Sequence, residues 1–398
     1  MLNWRKETTL KSLCVDAKEK INVEDLNDET YISTENMIVN RGGITKATSL
    51  PTISKVSKIY PWDVLFSNIR TYFKKLHLSD FIWWCSNDVL IFRPNENVDS
   101  KFLFYSLSQE SFFDYTIKTS KWTKMPRWDK KAIDNYIINL PPINEQRRIA
   151  GVLSSLDDKI KLNNQINHNL YQINDKLFNE YFWKYYDWDL PNDWKLCKLT
   201  DYANINNWYS YTWKELIDDS KIWMVTIKNF ERNGWFKLWW FKPISPLKNV
   251  EKFILDKSDI VVACTDLTQN ADIVWNAELI INTGWFDKII YSMDVVEIEP
   301  INIDKYYLYA TLKSSVFKNF ALEYVSWSTV LHLSKNCFKD FELIIPDEQK
   351  MKQFSCLIKA NCDKIMNNTE MNIKLTNMRD TLLPKLMNWE INLDKVTI

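Results

Sequence analysis

The chain contains one segment twice, and this internal repeat constrains the fold more than any other feature of the sequence. Residues 139–178 and 341–383 both carry a proline shortly before Glu-Gln and an Asp-Lys-Ile further along. From Asp158 and Asp363 onward, the two copies match at a constant offset of 205 residues. The plan of the chain is therefore a domain, a helix, a second domain and a second helix.

Apolar residues recur in both copies at spacings of four, three and four residues. This spacing is typical of the a and d positions of a coiled coil, along which two helices pack. An Asn or Asp N-cap, with glutamate in the first turn, indicates where each helix begins. We predict two long helices that face one another within the chain. The predicted packing residues are Ile166, Leu170, Ile173 and Leu177 in the first helix and Met371, Leu375, Met378 and Leu382 in the second.

The segments before the helices predict two similar domains. Asn36 in the first segment aligns with Asn229 in the second. Each segment has short β-rich runs and one helix, near Ser100–Ser108 and near Lys305–Lys318. The predicted fold class is α+β, with two similar α/β domains that are each followed by a long helix. The predicted boundaries are residues 1–143 and 186–345 for the domains, 144–185 for the first helix, and 346–398 for the second helix and C-terminal tail. The predicted strands are Val64–Phe66, Val89–Phe92, Tyr136–Leu140, Ile260–Cys264, Leu279–Ile281 and Val295–Ile298.

Composition argues against several classes of protein. With 46% hydrophobic residues and no apolar run of the length a membrane helix needs, we expect a folded, soluble and cytoplasmic protein. Seven scattered cysteines and three histidines argue against a disulfide framework or a zinc site. Basic and acidic residues both number 51, so bulk charge does not decide whether the protein binds nucleic acid. Without a recognisable nucleophile and histidine pairing or dinucleotide fingerprint, we expect no catalysis and no metal on this chain.

Glycine is scarce and tryptophan is abundant. The chain has 5 glycines and 19 tryptophans, whereas glycine usually makes up about 7% of a protein. Many tryptophans stand at turns, such as Trp62 between Pro61 and Asp63, where positive φ favours glycine. We hypothesise that most are glycines in the living protein, encoded by UGA in a lineage that reads this codon as glycine; Trp4 and Trp194 are the exceptions. The alternative is a surface rich in aromatic residues that stack on bases.

Several motifs together resemble the DNA-specificity subunit of Type I restriction-modification systems, over nearly the whole chain. The motifs are Thr123–Arg127 with Asp129-Lys130, Leu140–Pro142, Glu145–Ile149, Leu153–Ile160, Leu382–Met387 and Trp389–Ile391. The family has glycine at several positions where this chain has tryptophan, among them Trp122, Trp128, Trp327 and Trp389. This departure agrees with the recoding hypothesis.

The resemblance implies a non-catalytic subunit with two target-recognition domains, each of which reads one half of a bipartite, asymmetric DNA site. It implies that the two helices pack antiparallel with pseudo-two-fold symmetry and set the gap between the half-sites. Its implied partners are double-stranded DNA, two methylation subunits and a restriction subunit, with no membrane. S-adenosylmethionine, ATP and Mg²⁺ would belong to the partner subunits, with no cofactor on this chain.

Polar residues after strands and a basic loop give the candidate DNA contacts. Six basic residues and one acid lie between Lys118 and Lys131, which suits a loop placed on phosphates or a solvated surface loop. Arginine can bond guanine and asparagine can bond adenine, whereas lysine more often contacts phosphate. The candidates are Asn68, Arg70, Lys74, Lys121, Lys124, Arg127 and Lys130 in the first domain, and Asn207, Tyr209, Tyr211, Thr265, Gln269, Asn270, Ser328, Thr329 and Lys335 in the second. For each, a plain surface or turn role is the alternative.

Two other functions are compatible with the sequence. One is a structural adaptor that bridges two protein partners through its paired helices and does not touch DNA. The other is a recognition domain fused to an enzyme, which the missing methyltransferase and nuclease motifs argue against. An adaptor would lack salt-sensitive DNA affinity, so this measurement separates it from a DNA-reading subunit.

Overall fold

The structure is a computed structural model in which the chain forms two compact units. It describes residues 6–119, 130–186, 189–232, 236–281, 286–391 and 393. Unit 1 comprises Met1–Lys161 and Asn372–Ile398, and unit 2 comprises Leu162–Met371. Each unit therefore contains one α/β domain and a part of each long helix. None of the helices in the described part of the chain combines the length and the hydropathy that a membrane span requires.

Unit 1 is built on two four-stranded sheets, β2-β9-β6-β7 and β3-β5-β8-β4, and on the pair β1-β10. Its strands are β1 (Lys6–Thr9), β2 (Cys14–Val15), β3 (Lys20–Asn22), β4 (Tyr31–Ile32), β5 (Lys55–Ile59), β6 (Val64–Ser67), β7 (Leu76–Leu78), β8 (Trp83–Cys85), β9 (Val89–Pro94) and β10 (Ile137–Leu140). Its helices are α1 (Leu10–Leu13), α2 (Ser100–Leu107), α3 (Glu110–Lys118), α4 (Lys130–Asp134) and the start of α5 (Ile143–Tyr181).

Strand β6 is buried on both faces, because side chains alternate across a strand. Val64 and Phe66 belong to the core that contains α2 and α3, whereas Leu65 belongs to the core beside the second sheet. A short, continuous apolar run is what such a central strand requires.

Unit 2 has the sheets β12-β19-β15-β17, β14-β13-β18 and β16-β21-β20 and the pair β11-β22. Its strands are β11 (Lys195–Lys198), β12 (Ala203–Asn206), β13 (Ile222–Val225), β14 (Lys242–Pro243), β15 (Ile260–Ala263), β16 (Thr265–Asp266), β17 (Ala277–Leu279), β18 (Lys288–Tyr291), β19 (Val295–Pro300), β20 (Val325–Ser326), β21 (Leu331–Leu333) and β22 (Glu342–Ile345). Its helices are α6 (Lys305–Lys313), α7 (Ser315–Glu323), α8 (Asn336–Asp340) and the larger part of α9 (Glu348–Met387).

The two domains share a scaffold, which confirms the predicted internal repeat. In each domain the first and last strands pair antiparallel, as β1 with β10 and as β11 with β22. The buried Asn36 accepts a hydrogen bond from the Ser33 N–H (2.6 Å), and the buried Asn229 accepts one from the Thr226 N–H (2.9 Å). The weak sequence similarity around Asn36 and Asn229 therefore reflects a local hydrogen-bond arrangement that both domains share.

Each predicted helix and strand corresponds to an element of the structure, with three differences in division or bounds. The helix predicted near Lys305–Lys318 is two helices, because Ser314 has extended backbone and caps α7 through its side chain. The run predicted at Leu279–Ile281 is strand β17 at Ala277–Leu279, two residues earlier. The first long helix begins at Ile143 and ends at Tyr181, four residues before the predicted boundary at 185.

The long helices run antiparallel within each unit, as predicted. In unit 2, Asn167 of α5 pairs with Asn368 of α9, and Asn174, further along α5, pairs with Asn361, further back on α9. In unit 1, Arg379 of α9 donates to Asp157 of α5 over 2.6 Å.

The predicted packing stripe is only partly correct. Ile173, Met371 and Met378 have 44%, 47% and 52% of their surface exposed, so these three residues do not form the helix seam. The other predicted packing residues are partly buried, namely Ile166, Leu170, Leu177, Leu375 and Leu382.

The buried positions of the helices include asparagines that the prediction passed over. They are Asn163, Asn167, Asn174 and Asn368. In the sequence, an asparagine whose amide is buried against another amide looks like a residue that faces solvent. For this reason the apolar pattern alone identified only part of the helix seam.

Candidate nucleic-acid interface

A small sheet in unit 2 positions two clusters of predicted contact residues. Strand β21 lies at the centre of this sheet, with β16 on one side and β20 on the other. Loops at the two ends of the sheet carry exposed polar side chains. We call these side chains the unit 2 polar surface: Asn207, Gln269, Asn270, Ser328, Thr329 and Lys335.

The first cluster joins the loop after β16 to the loop between β20 and β21. Gln269 Nε2 donates to the backbone oxygens of Ser328 (3.1 Å) and Thr329 (3.3 Å). The loop of Gln269 is itself fixed, because the buried Asp266 carboxylate accepts from the N–H groups of Thr268 and Ile273, each at 2.7 Å. The structure therefore brings Gln269 next to Ser328 and Thr329, which lie about 60 positions later in the sequence.

The second cluster lies at the other end of β21. Lys335 Nζ donates to Asn207 Oδ1 over 2.6 Å and lies 3.9 Å from the centre of the Trp208 ring. The hydrogen bond between Lys335 and Asn207 holds a positive charge and an amide next to each other at the surface. Such a pair suits a phosphate and a base edge at neighbouring positions.

Thr265 was predicted as a contact, but the structure shows that it is a supporting residue. Its side chain is buried, and its hydroxyl donates to Asp294 Oδ1 over 3.0 Å. Its backbone pairs with that of His332 in β21. Thr265 therefore holds the small sheet and does not reach solvent, so this prediction was wrong.

The prediction that Tyr209 and Tyr211 contact DNA was also wrong for Tyr209. Tyr209 is 1% exposed and packs in a core cluster against which Tyr211 also packs, partly buried. The Tyr209 hydroxyl bonds to the Glu215 carboxylate. Although burial acts to raise the pKa of Glu215, hydrogen bonds from Tyr209 and from the Leu247 and Thr212 N–H groups lower it to about 2. This arrangement stabilises the loop and keeps Tyr209 away from solvent, while the assignment of Tyr211 stays a prediction.

In unit 1, the predicted contacts near Ser67 have different environments. Arg70 is exposed, with a left-handed backbone at φ 50°. Lys74 Nζ donates to Glu110 over 2.6 Å, so its charge is already paired. Asn68 Oδ1 is buried and has no hydrogen-bond partner among the described residues. Arg70 is therefore the most exposed of these three residues.

Sequence reasoning missed two aromatic side chains beside Arg70. Tyr72 and Phe73 are exposed and have ring centres 4.6 Å apart. The backbone under them is tied to a neighbouring loop, because the Asn40 N–H donates to the Phe73 oxygen over 2.8 Å. Their position between the basic residues Arg70 and Lys74 in the sequence was the available signal.

The basic loop of the first domain cannot be placed. Lys121, Lys124 and Arg127 lie outside the described residues, as does the side chain of Lys130. Their assignment to phosphate contact stays a prediction. Within the ranges that the structure describes, histidine, cysteine and acidic side chains nowhere form a group of three or more suited to a metal ion.

Comparison with known proteins gives one consistent result. The sequence matches the family described as Type I restriction modification DNA specificity domain over residues 3–172 and 191–375. The HindI specificity subunit of a Haemophilus influenzae Type I restriction enzyme is 24% identical over 98% of this chain and 100% of that one. The MjaIX specificity subunit of Methanocaldococcus jannaschii is 22% identical over 76% of this chain and 72% of that one.

The fold also resembles a solved structure. The S subunit of a Type-I restriction-modification system from M. genitalium superposes with a TM-score of 0.54 at 16% identity, over 97% of each chain. At this identity the likeness concerns the fold alone.

Proposed function

Because the chain belongs to the family of Type I restriction-modification DNA specificity domains, we propose that its two domains read the two halves of one bipartite, asymmetric DNA site. DNA sequence specificity is the role of the family. The bipartite site is supported by the internal repeat, since two similar but non-identical domains suit two different half-sites. In this proposal the chain itself catalyses no reaction.

The observation that carries the proposal is the unit 2 polar surface. It combines amides, hydroxyls and one lysine at the ends of a single small sheet. Amide and hydroxyl groups are the donors and acceptors that read base edges, and a lysine beside them suits a phosphate. Side chains held by a fixed scaffold discriminate better than side chains on free loops.

The proposed partners are two methylation subunits and a restriction subunit in the cytoplasm. Ile173 and Met378 occupy equivalent positions of the repeat, at the offset of 205, and both are about half exposed. Two equivalent apolar positions suit two copies of one partner. S-adenosylmethionine, ATP and Mg²⁺ would be bound by these partners.

The test of the bipartite site is the variant Gln269→Ala. The wild-type complex is first used to select its target from a DNA library with randomised half-sites and gaps. We expect Gln269→Ala to relax base preference in one half-site only, with a loss of about tenfold in discrimination at the affected position. Lys335→Ala should weaken binding to all sequences and reduce its salt dependence.

Lys221→Ala is the matched control, because Lys221 is an exposed lysine of unit 2 that lies outside the small sheet. Its affinity and base preference should equal those of the wild type. A Gln269→Ala variant that lost preference in both half-sites, or in neither, would contradict the assignment of one half-site to unit 2. The absence of salt-sensitive DNA affinity in the wild type would instead favour the adaptor.

A further inference from the structure

A ladder of paired asparagines joins α5 to α9 in unit 2. Asn368 Nδ2 donates to Asn167 Oδ1 over 2.8 Å. Seven residues further along α5, Asn174 Oδ1 accepts from Asn361 Nδ2 over 2.7 Å. We call these four residues the asparagine ladder. Three of them are less than one-tenth exposed, and Asn361 is partly buried.

The ladder is closed by further hydrogen bonds within unit 2. Asn167 Nδ2 donates to Thr369 Oγ1 over 3.3 Å, and Asn174 Nδ2 contacts Cys362 Sγ over 3.9 Å. Both amides of α5 therefore use their nitrogen and their oxygen. Removing amides from water costs free energy, and their mutual hydrogen bonds mainly offset that cost. The ladder therefore contributes little stability beyond what leucines would give at these positions.

An apolar seam alone does not fix how far one helix is displaced along the other. A slide of seven residues again sets apolar positions against apolar positions. The ladder makes these registers unequal in free energy, because a slide of seven residues leaves some of the amides without an amide partner. A slide in one sense would keep an Asn–Asn pair, Asn167 with Asn361, but would set Asn174 against Phe354 and leave Asn368 without its partner.

The internal repeat carries an asparagine at the equivalent position for two of the four ladder residues. Asn163 and Asn368 stand at the offset of 205, and so do Asn167 and Asn372. Asn163 is buried like its counterpart Asn368. The pair Asn167 and Asn368 is therefore built from positions that are asparagine in both copies of the repeat, whereas the positions equivalent to Asn174 and Asn361 are Arg379 and Leu156.

We propose that the asparagine ladder fixes the axial register of α5 against α9 and thereby limits the gap between half-sites that the protein accepts. The four asparagines are positioning residues. The consequence for DNA rests on the proposed function, since register matters to DNA only if the two domains read two half-sites. The consequence for the helices does not depend on it.

The test replaces all four ladder asparagines with leucine in the full chain. We expect the midpoint of thermal unfolding to stay the same or rise, because leucines pack well in a coiled-coil seam. We expect the accepted gap to broaden, and to include lengths about three base pairs away, since seven helical residues span about 10.5 Å. The wild type should accept a single narrow range.

A cross-linking assay reads the register directly. In a background with Cys356→Ser and Cys362→Ser, Leu170→Cys is combined with Ile365→Cys for the observed register or with Ile358→Cys for the slid register. Position 365 lies three residues back from Asn368, as 170 lies three on from Asn167. We expect the intact ladder to give only the first disulfide, and the leucine variant to form the second at least about tenfold more often.

Asn169→Leu with Asn367→Leu is the matched control, because both asparagines lie on the same helices and are exposed. It should leave the gap and the cross-links unchanged. If the fourfold variant does not fold, Asn167→Leu with Asn368→Leu is used instead. A leucine variant that kept the wild-type gap and gave only the first cross-link would overturn the inference. A wild type that reads no bipartite site would refute the proposed function, while the cross-links would still decide the register.

Discussion

At the scale of the residue, Trp389 stands where a helix end favours glycine. It follows α9 with φ 64°, and its N–H donates to the Leu386 oxygen over 3.2 Å. The next N–H, of Glu390, donates to the Lys385 oxygen over 2.8 Å. These two hydrogen bonds define a Schellman motif, whose left-handed residue is usually glycine.

Trp62 shows the same conflict at a turn. Its φ is 74°, it follows Pro61, and the Asp63 N–H donates to the Tyr60 oxygen over 3.2 Å. Proline followed by a residue with positive φ is typical of a type II turn, where glycine fits best. By contrast, the Trp194 indole is buried and donates to Asp347. These geometries support the recoding hypothesis for the turn tryptophans and exempt Trp194.

We expect Trp62→Gly to raise the free energy of unfolding by about 1 kcal/mol, because a left-handed backbone costs a non-glycine residue about that much. Urea denaturation measures the change. The control Trp194→Gly should lose about 3 kcal/mol, since it removes a buried aromatic side chain. A UGG codon at position 62 in the gene, or a less stable Trp62→Gly protein, would count against recoding.

His77 gives the first domain a dependence on pH. Its Nε2 is buried and has no hydrogen-bond partner among the described residues. Burial lowers the pKa of His77 from 6.5 to about 4. The unfolded chain therefore binds a proton near pH 6.5, whereas the folded chain resists protonation down to about pH 4.

The stability that neutral His77 contributes should be complete above pH 6.5 and should decline as the pH falls towards 4. At 1.36 kcal/mol per pKa unit, the loss is on the order of 3 kcal/mol. Urea denaturation from pH 7.5 to pH 4 compares the wild type with His77→Phe, which should lose less stability over this range. Parallel curves for the two proteins would show that His77 does not titrate as expected.

At this scale, sequence reasoning placed several polar residues correctly at the surface and misjudged others that are buried, while contact with DNA stays a prediction for all of them. Gln269 and Lys335 lie at the surface where strand ends suggested them. Tyr209 and Thr265 do not: Tyr209 packs in a core cluster with residues distant in the sequence, and Thr265 is buried in the small sheet beside Asp294. Burial depends on tertiary contacts, and residue type alone does not specify those.

At the scale of the element, Asp157 connects the helices to the first domain within unit 1. Its carboxylate accepts from Arg379 of α9 and from the Tyr105 hydroxyl of α2, each over 2.6 Å. Burial, and then the charge of Asp157, raise the pKa of Tyr105, so the phenol stays protonated and donates. Three elements therefore meet at one carboxylate.

We expect Arg379→Met to lower the free energy of unfolding by about 2 kcal/mol, because it leaves a partly buried carboxylate with one partner fewer. Adding Asp157→Asn should restore part of this loss, and a double-mutant cycle measures the coupling. The control Lys359→Met removes an exposed ion pair with Asp363 and should leave the free energy of unfolding nearly unchanged. Additive losses for Arg379 and Asp157 would contradict a direct interaction.

The long helices and six central or edge strands could be predicted because their apolar patterns are strong and local, whereas the shorter strands carry no such pattern. The helix seam could not be predicted fully, since each helix carries two apolar or amide stripes. Ile173 and Met378 match a heptad pattern but face solvent, while Asn167 and Asn174 look polar but are buried. Only the pairing of amide with amide, which is a long-range contact, identifies the buried stripe.

At the scale of the whole molecule, helix length should determine the separation of the half-sites. We predict that four residues inserted after Asp158, matched by four after Asn377 on α9, lengthen the preferred gap by between about one and two base pairs. The matched insertion retains both the Asp157–Arg379 and the Asn167–Asn368 pairings. Mapping of methylated sites for each variant measures the gap, and an unchanged gap would contradict the ruler role of the helices.

The contact of Tyr105 with Asp157 also affects how such proteins could be recombined. Counted from the helix N-caps Asp99 and Asp304, Ala310 of α6 stands where Tyr105 of α2 stands. Cys362, directly before Asp363, stands where Asp157 stands before Asp158. In a chimaera with the second domain placed on the first domain's stretch of helix, the methyl group of Ala310 would face the Asp157 carboxylate. The residues at the contact between domain and helix therefore differ between the two domains. A recombinant protein that exchanges the domains should keep each domain with its own stretch of helix.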